Sequence, residues 1–241
     1  INANKKEYEF EIKWGEQTST DDSAGDIIQR SSNIPSIKDI KNTLYNLRGE
    51  IYQKPPKASA VKINGVRAYK LLREKKDFET KPKKVFIYSL AIINHEQRLI
   101  TKISIKCSKG FYIRSFARDL AEKLNTKAHI HSLKRTKVGK FDLINANLLD
   151  DLLKIRQRLP EFKGFHTSIS MLDDILAYEI GEEDIKNYIS QGKTIKVNFN
   201  QCFKPSLNLS EGKIIFLTEK GNVISFGKLD GDLFIPKKVL I

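Results

Sequence analysis

Alternating apolar and polar positions open the chain. In EYEFEIKWG, Tyr8, Phe10, Ile12 and Trp14 fall on one face, which predicts a half-buried strand ending at Gly15. EQTSTDDSAGD follows, rich in turn formers and acids, and reads as a loop. The period then changes. Ile37, Ile40, Leu44 and Leu47 recur at helical spacing, Ser36 is placed to cap that helix with Asp39 three residues on, and Gly49 follows it. A break at Pro55 and Pro56 leads to an extended stretch, a turn at Asn64-Gly65, and a short helix holding Ala68, Leu71 and Leu72. KKVFIYSLAII reads as a strand. LITKISIKC alternates again, with Leu99, Thr101, Ile103, Ile105 and Cys107 on one side and Lys102, Ser104 and Lys106 on the other.

Phe116, Ala117, Leu120, Ala121 and Leu124 return to helical spacing. Residues 108–114 are therefore expected to form a strand-to-helix corner with Gly110 at its bend. That corner gathers Lys109, Tyr112 and Arg114, with Arg118 just beyond. A further helix is expected from Asn147, carrying Leu148, Leu149, Leu152, Leu153 and Ile155. The last 30 residues hold short β-rich runs divided at Lys220-Gly221-Asn222 and Asp230-Gly231-Asp232, which predicts a small meander or barrel. The whole reads as an α+β protein.

Charge refines the picture. The 241 residues carry a formal net charge of +14. Residues 1–168 hold 34 Lys/Arg against 19 Asp/Glu, whereas residues 169–241 hold 9 against 10. The polyanion implied by that surplus belongs to the first part, and the shift in balance predicts a domain boundary near residue 168. Cations concentrate twice: eleven against three acids from Lys54 to Lys84, and ten against two from Lys106 to Lys140. Tyr69 and Phe78 interleave the first cluster, Phe111 and Tyr112 the second. Cations follow phosphates and aromatic rings stack unpaired bases, so the partner class is RNA or DNA.

Other classes fall away. No phosphate loop, dinucleotide fingerprint or G-x-S-x-G elbow occurs. His129 and His131 have no nearby carboxylate or cysteine to complete a metal set, and a surface or RNA-facing role is expected for them. Asp21 and Asp22 read as a solvated turn rather than an acid/base dyad, since chain neighbours ordinarily point apart. Cys107 and Cys202 have neither metal spacing nor a disulfide framework, which fits a reducing compartment. No apolar run reaches membrane-spanning length and no secretion signal is visible, so a cytoplasmic location is expected. The only methionine is Met171, and a start upstream of Ile1 is expected.

KASAVKINGVRAYKLLRE, CSKGFYIRSFARDLAEKL and HSLKRTKVGKF, in this order, resemble motifs of the bacterial TruB-type tRNA pseudouridine synthases, which isomerise uridine 55 in the T-loop. TSTDDSAGDII is similar to that family's acidic, glycine-ended turn, and KLDGDLFIPKKVL to the close of its C-terminal PUA-like domain. The resemblance implies a mixed, largely antiparallel pseudouridine-synthase-like sheet flanked by helices over residues 1–168, and a small β-rich PUA-like RNA-binding domain over residues 169–241. It implies a monomer acting on the tRNA T-arm, with no cofactor and no metal. Tyr112 matches a tyrosine lining the base pocket, and Arg114 an arginine paired with the catalytic aspartate. Tyr8 matches the tyrosine that packs on the flipped base and takes part in removing the C5 proton. Leu133 matches a residue at the floor of the uracil site. Lys62 and Arg67 lie in the segment that grips the T-loop, and Lys109, Lys134 and Arg135 join the RNA-binding set.

One departure is large. The family's catalytic aspartate sits in a G-T-L-D-type motif upstream of the strand matched here by residues 7–14, and no such motif occurs in the 241 residues. The expectation is a protein whose N-terminal part, with the nucleophile, precedes Ile1, and a chain inactive by itself. A non-catalytic RNA-binding protein or tRNA chaperone on the same scaffold is the alternative. A relative of the guide-RNA-dependent synthases is a third.

Overall fold

The computed structural model describes residues 5–96, 99–150, 176–198 and 214–240. The chain divides into two compact units, one of residues 2–158 and one of residues 159–241. The boundary expected between residues 168 and 169 and most of the helix expected from Asn147 lie outside the described residues, as do Met171 and Cys202.

The first unit is built on a six-stranded sheet. Its strands are β1 (Lys5–Trp14), β4 (Gly49–Gln53), β7 (Lys83–Glu96), β8 (Ile100–Ser108), β9 (Ala128–Val138) and β10 (Phe141–Asp142), ordered β10-β9-β1-β8-β7-β4 and all antiparallel. β1 lies near the middle, and its alternation shows why: Phe10, Ile12 and Trp14 are buried. Thr101, Ile103, Ile105 and Cys107 of β8 are buried in phase with them; Leu99, which the pattern placed on that side, stays exposed. The Trp14 indole N–H donates to the Thr101 hydroxyl at 2.8 Å, so the polar atoms of this wall are satisfied.

Two helices cover that face: α1 (Ile37–Tyr45) and α3 (Ile113–Lys123), with α2 (Ala68–Arg73) between them in sequence. The Ser36 hydroxyl accepts the Asp39 N–H and donates to the Asp39 carboxylate, a reciprocal cap that starts α1 where the sequence placed it. Phe116, Ala117, Leu120 and Ala121 of α3 are buried, and the Phe116 ring meets Phe10 edge-on at 6.0 Å.

Three features depart from the sequence reading. EQTSTDDSAGD is not a plain loop: β2 (Glu16–Thr18) and β3 (Ile27–Arg30) form a hairpin around it. The corner is tighter than expected, because α3 begins at Ile113 and takes in Arg114; Gly110 sits at the bend with φ +85°. β9 had no visible alternation, since its residues 131–135 are exposed on both faces. The Asn64-Gly65 turn forms as read, with both residues at positive φ, and joins β5 (Lys62–Ile63) to β6 (Val66–Arg67).

The second unit is a five-stranded sheet of β11 (Leu176–Glu179), β12 (Ile195–Lys196), β13 (Ile214–Glu219), β14 (Asn222–Asp230) and β15 (Leu233–Val239), ordered β11-β13-β14-β15-β12. β13, β14 and β15 make the expected meander, and β11 adds to it in parallel. Helix α4 (Glu182–Asn187) contributes Ile185 to its core.

Candidate functional site

The site is assembled at the N-terminus of α3. Tyr112 caps the helix with extended backbone and no side-chain cap. Gln53, buried at the end of β4, supplies what is missing. Its Oε1 accepts the Tyr112 N–H at 2.7 Å and its Nε2 donates to the Tyr112 carbonyl at 3.0 Å. One side chain thus fixes the backbone of the corner, and the Tyr112 ring remains half-buried at its edge.

Arg114 follows in the first turn. Its Nη1 donates to the Thr20 carbonyl at 3.1 Å and to Asp22 Oδ2 at 3.0 Å, and its Nη2 donates to the Ala58 carbonyl at 2.9 Å. A planar guanidinium with three fixed acceptors has one orientation. Asp22 is held too: its Oδ1 accepts from the Thr20 hydroxyl at 2.6 Å and the Ala24 N–H at 3.1 Å. The turn docks on β9, with the Ser23 N–H on the Ile130 carbonyl and the Ile130 N–H on the Asp21 carbonyl.

Asp21 and Asp22 are therefore no solvated turn. Asp21 has φ +60°, a left-handed conformation that an aspartate tolerates. Both adjacent carboxylates reach α3, Asp22 meeting Arg114 and Asp21 meeting Arg118 at 3.0 Å. Sequence reasoning missed this pairing. Its signal was two neighbouring acids facing two arginines four apart on the predicted helix. Burial pushes the Asp21 carboxyl above the usual carboxylate range, and the Arg118 charge only partly offsets it. The Asp119 carboxyl is raised in the same way, by burial against the pull of Arg118.

The sheet carries the other expected site residues. Tyr8 shares the face of Phe10 and packs on the core beneath α3. Arg135 lies opposite Tyr8 and Leu133 opposite Phe10, and residues directly opposite share a face. Leu133 is 49% exposed, so it is no core leucine. Burial, with Cys107 nearby, raises the Tyr8 phenol above its ordinary value despite the Arg135 cation. Tyr8 is thus a neutral phenol at physiological pH.

The remaining expected residues divide. Lys62 and Arg67 are exposed and pair across the β5–β6 hairpin, whose approach segment is tied to Arg114 through Ala58. Lys109 is exposed at the corner. Lys134 lies opposite Glu9, on the face of the sheet away from Tyr8 and Arg135. His129 is buried, with Nδ1 2.9 Å from the Glu16 carbonyl, a structural role rather than the surface one expected; His131 is exposed. A cavity of about 520 Å³ opens beside Arg118, Asp119 and Glu122, and neither Tyr8, Tyr112 nor Arg114 lines it. Among the described residues no cluster of His, Cys, Asp or Glu is arranged to hold a metal, and no helix is long and apolar enough to cross a membrane. What remains is a fixed guanidinium–carboxylate pair and a neutral phenol, with cations at the corner, the hairpin and β9: a surface suited to an anionic polymer.

Residues 1–113 match the model of the TruB family pseudouridylate synthase N-terminal domain. The chain is 38% identical to tRNA pseudouridine synthase B of Borreliella burgdorferi, over 87% of this chain and 68% of that protein. It is 35% identical to tRNA pseudouridine synthase B of Rickettsia bellii, over 98% of this chain and 77% of that protein. The fold is shared with a chain from the crystal structure of a Cbf5–Nop10–Gar1 complex, at TM-score 0.65 and 18% identity, covering 100% of this chain and 67% of that one. The architecture is accordingly the α+β, pseudouridine-synthase-like sheet with a small PUA-like C-terminal unit. Identity of 35% to the Rickettsia bellii synthase along nearly the whole chain, with the match of residues 1–113 to the family's N-terminal domain, means that the chain belongs to the TruB family of pseudouridylate synthases.

Proposed function

We infer that the protein is a tRNA pseudouridine(55) synthase of the cytoplasm, working as a monomer on the T-arm. The observation that carries this is the fixed Arg114–Asp22 pair at the start of α3, two residues after Tyr112, together with Tyr8, Leu133 and Arg135 on one face of the sheet that α3 covers. The family relatives named tRNA pseudouridine synthase B support the substrate class. A uridine reaches such a site only when flipped out of its stack. Its base lies against Tyr112 and Tyr8 above Leu133, while Lys62, Arg67, Lys109 and Arg135 hold neighbouring phosphates. An aspartate attacks C1′ and the N1–C1′ bond breaks, its electron pair staying on uracil N1. The uracil turns, C5 attacks C1′ and displaces the carboxylate, the C5 proton passes to solvent by way of the Tyr8 hydroxyl, and N1 takes up a proton from water. Tyr8 packs on the base and relays that proton through its hydroxyl, its phenol held above the ordinary range by burial.

The attacking aspartate belongs in this reading to a G-T-L-D-type segment outside residues 1–241. Asp21 is buried on Arg118, and Asp22 has both oxygens taken up by Arg114, the Thr20 hydroxyl and the Ala24 N–H, so neither is assigned as the nucleophile. Arg114 presents its guanidinium to that carboxylate and keeps it ionised. A non-catalytic RNA-binding or chaperone role on the same scaffold is the second reading, and it needs only the exposed cations of the corner, the hairpin and β9. A guide-RNA-dependent role has less behind it, because the likeness to the Cbf5 chain is one of fold, at 18% identity.

The deciding experiment incubates the natural protein with a T-arm RNA labelled with tritium at uridine C5. Stoichiometric tritium release is expected. Tight RNA binding with no release would sink the synthase reading and leave the chaperone one.

A further inference from the structure

The acidic turn and α3 carry a second ion pair that the chemistry above does not use. Arg118 lies one helical turn after Arg114, on the same face of α3. Its Nη1 donates to Asp21 Oδ2 at 3.0 Å, its Nε and Nη2 to Asp119 Oδ1 at 3.1 and 2.9 Å, and its Nη2 also to the Lys54 carbonyl at 3.1 Å. The Ser115 hydroxyl donates to that same carbonyl at 2.7 Å. Asp21 is 7% exposed, too deep for a carboxylate to lie unpaired.

The chain links this pair to Arg114 twice. Asp21 sits between Thr20 and Asp22, both of which hold Arg114. Lys54 lies four residues before Ala58, whose carbonyl is the third acceptor of Arg114. The two segments gripped by Arg118 are therefore the two that carry every acceptor of Arg114. A displacement of either segment misplaces the guanidinium, and a small misplacement of a reacting group costs far more in rate than in binding.

We propose that Arg118 and Asp21 are positioning residues that fix the orientation of the Arg114 guanidinium for uridine isomerisation. The role in isomerisation rests on the synthase reading; the orientation of Arg114 does not. Neither residue touches the base in this proposal; both act through Arg114 and Asp22.

The test uses the natural protein and two variants, Asp21→Asn and Arg118→Gln, with three readouts: NMR exchange of the Arg114 Nη–H protons that bond Thr20, Asp22 and Ala58, single-turnover tritium release from a T-arm hairpin, and the Kd for that hairpin. Expected are faster exchange at Arg114, turnover about tenfold slower and a Kd within about twofold. The double variant should be no slower than the slower single, as for residues acting as one unit. Asp21→Asn keeps the side-chain shape and carries the test if Arg118→Gln fails to fold. Unchanged exchange and turnover in folded Asp21→Asn overturn the proposal, as does a loss confined to Kd or losses that multiply. A natural protein that releases no tritium would remove the synthase reading, while Arg114 exchange still decides the positioning role.

Discussion

Arg114 and Asp22 are only 24% and 28% exposed, so the charge of each is answered chiefly by the other. Arg114→Ala in the natural protein is expected to lower turnover about a hundredfold or more while T-arm binding stays within about twofold, since a preorganised charged donor acts on the reaction rather than on the polymer. Near-native turnover would refute the carboxylate-orienting role. Cys107 gives a second residue-scale test. It is fully buried beneath the sheet, and its thiol is pushed up to about 12 from an ordinary value of 9.0. The native thiol should resist iodoacetamide at pH 8 when the peptide carrying Cys107 is read by mass spectrometry; rapid labelling of folded protein would contradict the burial. The sign in stability follows from linkage. Between about pH 9 and 12 the unfolded chain loses this proton and the folded one keeps it, so the contribution of Cys107 falls as pH rises, and Cys107→Ala removes that part of the slope in urea midpoints. The corner that carries Tyr112 and Arg114 was legible because its motif is local. The partners of Arg114 were not, because Asp22 lies 92 residues away in a turn that composition marks as solvent-facing.

Elements were legible where one face is buried and the other is not. β1, β8, α1 and α3 all show their period, and all line the first core. β9 does not: only Ala128, His129 and Ile130 at its start are buried, and two bulges shift its register against β1. The bulges nonetheless leave Leu133 and Arg135 on the Tyr8 face, an arrangement no alternation count would reveal. In the second unit, β14 depends on one close approach. A Cβ on Gly227 would lie 2.3 Å from the Ile235 carbonyl and 2.5 Å from the ring of Phe234, which is fully buried. Neither a strand carbonyl nor a core ring yields easily, so Gly227→Ala should destabilise that unit by about 1–3 kcal/mol or more. Thermal unfolding should show the transition of the second unit lowered and that of the first unchanged; a melt identical to the parent would mean the strand relaxes around the methyl.

At the scale of the whole molecule, charge sets the outcome. The excess of cations lies in residues 1–168, while residues 169–241 are near neutral. Binding of a T-arm hairpin should weaken about tenfold or more when salt is raised about fourfold, as condensed counterions are released from several phosphates. Lys62→Ala and Arg67→Ala should each flatten that dependence, and a flat response in the parent would remove the basic clusters from the RNA face. The sequence by itself determined the surplus of cations, the α+β class, the family and β1, β8, α1 and α3 of the first core, because charge balance, motifs, turn residues and period are local properties of the chain. Only the tertiary structure decided which acids meet which arginines. A left-handed residue at Asp21, a turn docked on Ile130 and the order of strands in the sheet bring together groups 92 and 97 residues apart, and that meeting is a property of packing, which no local pattern encodes.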